Sequence, residues 1–176
     1  SDLAALRETI TRNLAELEAD TAALASLSPL VPFAPPIVDL VEARIRIEDI
    51  DPQKAAGTLT AVTKQIGDIR ARIEAGLSHA PVAGSLRPSR DLATRGASAV
   101  RTLRASLAEW FTFYNGYDPL FTWWMGLPYK HTDAALDGYA TWLADTVAAR
   151  DFPASGNPAP AARTIDAGPA PAFASV

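Results

Sequence analysis

The sequence predicts an all-α fold, an antiparallel bundle of four main helices plus one or two short ones, on three observations. Apolar residues recur at spacings of three and four through most of the first 150 positions. Ser, Asp-Pro and Asn-Gly signals divide these runs where helices should start and turn. No segment alternates apolar and polar residues as a half-buried strand would, and Val31 to Phe33 is too short and too proline-bound to be one. At 176 residues the chain fits one domain with a sizeable core. We expect a helical bundle domain over residues 1–151 and an Ala/Pro-rich disordered tail over 152–176.

A first helix is expected over about residues 2 to 26, where Leu3, Leu6, Ile10, Leu14, Leu17 and Leu24 keep helical spacing and Thr21 fills the one polar gap. Pro29, Pro32, Pro35 and Pro36 then stop it. A second helix from Pro36 to about Glu48 should bury Ile37, Leu40, Val41 and Ile45. Asp51-Pro52 supplies an N-cap followed by proline at the first helical position, so a third helix begins there. Its stripe of Ala55, Leu59, Val62, Ile66, Ile69, Ile73 and Leu77 ends near Gly76. Such a stripe also suits a coiled-coil seam and a homodimer, but short turns between helices of similar length favour an intramolecular bundle.

Ser78 to Pro88 reads as a loop, and Ser89 caps a fourth helix with Leu92, Val100, Leu103, Leu107, Trp110, Phe111 and Tyr114 on its buried side. Ala97, Ala99 and Ala105 allow close helix approach. Asn115-Gly116 is a turn dipeptide, and Asp118-Pro119 repeats the cap signal for a short helix from Leu120 to Met125. Gly126-Leu127-Pro128 should end it, leaving a last helix from about Tyr129 to Ala149 that buries Leu136, Tyr139, Leu143 and Val147. From Phe152 the composition turns to Ala, Pro and Gly without a period.

Composition excludes several classes of function. A net charge of −4 and a pI near 5.1 argue against nucleic-acid binding, which needs clustered Lys and Arg. The absence of cysteine removes disulfides, thiolate catalysis and Cys-based zinc sites. No apolar run reaches the roughly 18 residues of a membrane span. A soluble protein is expected, of the bacterial cytoplasm or, after signal removal, the periplasm.

Residue chemistry offers no reaction. His79 and His131 stand in no metal-ligand spacing, and Glu48, Asp49 and Asp51 sit at a helix junction where capping explains them. Neither a catalytic, a cofactor-binding nor a metal-ligating residue is predicted. What stands out is the run from Trp110 to Trp124, which holds eight of the fourteen aromatic residues. On one reading Trp110, Phe111, Tyr114, Phe121 and Trp124 pack where two helices meet around the Asn-Gly turn. On the other, Tyr114, Tyr117, Asp118, Trp123, Trp124 and Tyr129 form a binding or docking surface, since a short helix cannot turn every ring inward.

Pro32-Phe33-Ala34-Pro35-Pro36-Ile37-Val38, the start at Asp51-Pro52-Gln53-Lys54-Ala55-Ala56, the Trp110–Trp124 run and Pro128-Tyr129-Lys130 together resemble the N-terminal region of a bacterial family of helical proteins that looks like gluzincin-type zinc peptidases. The resemblance covers about residues 1 to 150. It implies that full-length relatives are several times longer and carry an HExxH-like zinc motif well downstream, so zinc is expected for them and no catalytic residue transfers to this chain. It further implies an N-terminal scaffold or substrate-covering region, inactive alone, whose partner is the catalytic half or another protein. Phe152 to Val176 departs from the family pattern and is open to reading as a truncation scar, a frameshift or a divergence. The alternative is a stand-alone helical binding module that uses the aromatic cluster.

Overall fold

The computed structural model describes residues 2–78 and 83–150, so the predicted tail and His79 lie outside the described residues. The described chain is all-α: α1 (Asp2–Leu27), α2 (Ala34–Ile45), α3 (Pro52–Leu77), α4 (Arg90–Tyr114) and α5 (Pro119–Trp142), closed by a π-helical turn over Leu143–Val147. The dominant packing is α5 against α3 and α4, with α2 against both of those. None of the described helices is long and apolar enough to cross a membrane.

Within the bundle α1 packs on α4. Ile10, placed in the predicted stripe, is exposed; the leucines of the stripe lie outside the described side chains. After a turn through Leu27 to Ala34, α2 starts earlier than predicted, with Pro35 and Pro36 in its first turn, where a missing N–H costs nothing. It also stops earlier. The amide of Ile47 donates to Arg44 O (3.1 Å) and that of Glu48 to Ala43 O (2.9 Å), the paired bonds of a Schellman cap. That cap puts Ile47 at φ 57°, a left-handed conformation costing a β-branched residue about 1–2 kcal/mol, yet the side chain is 91% exposed. Ile45 is exposed rather than buried as expected, because it ends the helix about 80° round from Ile37 at 100° per residue.

The α3 stripe lies in the core as predicted from Ala55 to Ile73, with Leu77 only partly buried, and Asp51 Oδ1 accepts from the Lys54 amide at 3.1 Å. The stripe is spent on packing inside the chain. Gly76 is needed where α3 ends, since a Cβ there would collide with the backbone carbonyl of Leu86. On α4 the Ser89 hydroxyl caps the helix as expected (Leu92 N, 3.2 Å). Close approach comes from Gly96, Ala93 and Ala97; Ala105 is exposed, on the same face of α4 as the exposed Arg101, Thr102 and Glu109. The space left by the missing side chain of Gly96 is taken by Leu30 and Leu143.

The largest departure from expectation is α5, a single helix of 24 residues that runs straight through Gly126 and Pro128 where two helices were predicted. Proline removes one backbone donor and crowds the carbonyl four residues back, here that of Trp124. Packing on α3 compensates. The Thr132 hydroxyl lies 2.9 Å from Pro128 O, 3.0 Å from Leu59 O and 2.9 Å from the Thr63 hydroxyl, which itself reaches Leu59 O at 3.0 Å. Two hydroxyl protons serve these contacts, so each threonine donates once and the pair ties α5 to α3 just beyond the proline.

At the other end, Tyr139 is buried and its hydroxyl donates to Leu30 O at 2.8 Å, with Phe33 edge-on to its ring at 5.8 Å. This fastens the α1–α2 connection to α5. Burial pushes the Tyr139 phenol far above its usual value. The folded state therefore keeps the proton while an unfolded tyrosine loses it near pH ~10, so this stabilisation is complete below that pH and is lost as pH rises beyond it. Tyr139→Phe should cost about 1–2 kcal/mol at pH 7 in urea unfolding, with the difference from the parent shrinking between pH 9 and 11. Parallel stability curves over that range would contradict this.

Candidate functional site: an aromatic corner and an exposed ridge

The α4–α5 corner is a type II turn. Asn115 has φ −66° and ψ 127°, Gly116 has φ +83°, and the Tyr117 amide donates to Tyr114 O at 3.1 Å. Only the glycine takes the left-handed position. Asp118 Oδ1 then accepts from the Leu120 amide (2.9 Å), and the Thr122 hydroxyl accepts from the Gly116 amide (3.2 Å) while lying within donating reach of Asn115 Oδ1 and Asp118 O. Sequence-local capping thus fixes the angle at which α5 leaves the corner.

Inside the corner the rings form a continuous set. Trp110 is fully buried, with Phe121 at 5.4 Å and Tyr114 at 5.7 Å, both in edge geometry. Phe111 lies parallel to Tyr129 with centroids 3.8 Å apart. The Trp110 indole N–H has no acceptor among the described residues, so burial of the ring carries an unmade hydrogen bond of about 1–3 kcal/mol. Beside the stack, Arg104 of α4 forks onto Asp133 (Nε to Oδ1 2.7 Å, Nη2 to Oδ2 3.0 Å) and donates through Nη1 to Asp137, both on α5. Its guanidinium is raised further above its ordinary range, first by the hydrogen bond to Asp133, and stays charged. Burial raises the Tyr129 phenol, Asp133 adds to that, and Arg104 opposes it.

The structure divides the six residues of the expected docking surface. Tyr114, Asp118, Trp124 and Tyr129 are half-buried and serve the corner, whereas Tyr117 is 93% and Trp123 73% exposed. Trp123 stands edge-on to Trp124 at 4.9 Å. Leu120 and Leu127 join Trp123 in solvent, and the spacing 120, 123, 127 puts all three on one stripe of α5. No charged residue falls between Pro119 and Tyr129. With Tyr117 at its head, this ridge exposes on the order of 500 Å² of apolar surface, at the upper end of what a monomer ordinarily leaves in water.

A concave feature lies between α2, the 46–51 connection and α3, a groove of about 550 Å³. Of the carboxylates at this junction Asp51 is a cap, as expected, but Glu48 pairs with Arg46 at 2.6 Å and Asp49 has no ion-pair partner among the described residues. The hydrogen bond from Arg46 lowers the Glu48 carboxyl below its ordinary value. His131 is exposed beside Thr60, Thr63, Lys64 and Pro128. Among the described residues no three His, Asp or Glu side chains converge as metal ligands would.

Comparison of the chain with protein-family models, with curated proteins and with solved structures gives no match.

Sequence reasoning missed Leu120 and Leu127 as surface residues. Their spacing with Trp123 was the available signal, and the expected stop at Pro128 hid it. Core and ridge should separate in stability measurements. Trp123→Ser and Leu127→Ser should each change unfolding free energy by no more than about 0.5 kcal/mol, whereas Trp110→Ala should lose about 3–5 kcal/mol. A large loss at Trp123 in urea titrations would place that ring in the core.

Proposed function

We propose that the chain is a helical docking and covering region, inactive by itself, of a zinc-metallopeptidase-like bacterial protein. The observation that carries this reading is the uncharged ridge of Tyr117, Leu120, Trp123 and Leu127, held in water by a rigid, capped corner. Leaving such a surface exposed gains nothing for the isolated bundle, and a preorganised aromatic ridge is what a helix–helix interface needs as its anchor. On the resemblance drawn from the sequence, the opposing surface would be a helical catalytic half bearing an HExxH-like motif. On that reading zinc belongs to the opposing half and the ridge bounds its substrate cleft.

A photo-crosslinking amino acid at position 123 or 127, in cells that make the protein, should trap one discrete helical segment bearing or adjoining an HExxH-like motif. The same group at Asp145, on the exposed face of the π-helical turn, should trap none. Crosslinks to a protein without such a motif would favour the stand-alone binding module instead.

A further inference from the structure

We propose that the groove between α2 and α3 is a second docking site, one that takes a basic amphipathic helix of a partner protein. None of the ridge residues lines it. Its floor is apolar, made by Leu40, Ile50, Val62 and Tyr114, side chains drawn from α2, the connection, α3 and the end of α4. Along α3 the wall is Lys54, Thr58, Ala61 and Gln65, one helical face about 16 Å long at 1.5 Å per residue. This matches three turns of an incoming helix, and the small side chains of Ala43 and Ala61 permit the interaxial separation of ~8–10 Å that helix packing requires.

Charge selects the occupant. Asp39, Glu48, Asp49 and Asp51 stand around the groove against one lysine, Lys54. Glu48 is matched by Arg46, and Asp51 spends an oxygen on the α3 cap. Asp39 and Asp49 have no ion-pair partner among the described residues, so two carboxylates flank an apolar floor with their charges unanswered. A segment with apolar residues on one face and Lys or Arg on its flanks answers both features. An acidic segment or a nucleic acid meets repulsion there. The Schellman turn at Ile47 carries Glu48 to Asp51 across the end of the groove, so the cap of α2 builds part of the site.

The test uses a fluorescein-labelled amphipathic peptide of Leu, Ala and Lys, roughly 15 residues long so that it forms a helix. Its anisotropy should rise with the parent protein, and amide shifts should change at Ala43, Thr58 and Ala61. Affinity should fall at least tenfold in the Asp39→Asn, Asp49→Asn double variant and in Ala61→Trp, which fills the groove. Gln65→Trp, at an exposed position, repeats the filling test if Ala61→Trp does not fold. Trp123→Ser should bind like the parent. A scrambled peptide of the same composition binding equally well, or unchanged binding by a folded groove-filling variant, would overturn the proposal. So would concentration-dependent self-association that Ala61→Trp abolishes, since the occupant would then be a second copy.

Discussion

Everything in this molecule depends on α5 remaining one helix across Pro128. Twenty-four residues in a single rod run from the aromatic corner to the Tyr139–Leu30 fastening; α3 and α4 pack on it, and α2 packs on those two. The cost is local: one missing donor and a crowded Trp124 carbonyl. Compensation is spread over three contacts of different kinds. The Thr63–Thr132 hydroxyl pair binds the following turn to α3, the Arg104 fork binds Asp133 and Asp137 to α4, and the Phe111–Tyr129 stack closes the gap between them. Tertiary contacts of this sort override the intrinsic preference of a proline, which acts on one turn while they act on two faces.

A continuous α5 also explains why apolar side chains stand in water. If the helix stopped at Gly126, Leu120 and Trp123 would sit on an isolated helix of about two turns with freedom to fold inward. Locked into the rod, their face points away from α3 and α4 and stays out, while Phe121 and Met125, on the opposite side, are fully buried. The same rigidity serves two surfaces. The ridge faces outward from α5, and Tyr114, positioned by the corner, contributes to the floor of the groove beside α2.

Much of this was legible in the residues. The α3 stripe, the Asp51, Ser89 and Asp118 caps and the turn at Gly116 are local rules that tertiary structure left untouched. The passage through Pro128 was not legible, because it depends on contacts between residues about seventy positions apart, such as Thr63 with Thr132, and no local motif marks the π-helical closure over Leu143–Val147. Ile47 misled in another way. Nothing about an isoleucine signals a left-handed cap, and reading the helix on to Glu48 followed from its apolar neighbours. The groove escaped notice since its lining is assembled from α2, the connection, α3 and the end of α4, and no local pattern brings these together.

The direct test of the continuous rod is native-state hydrogen exchange along α5. If the helix is one cooperative unit, amides of residues 121–127 and 129–142 share a single opening free energy close to that of the α3 face they pack on. Exchange of residues 121–127 through a separate, lower-energy opening, with protection resuming only after Pro128, would show two helices where this account requires one.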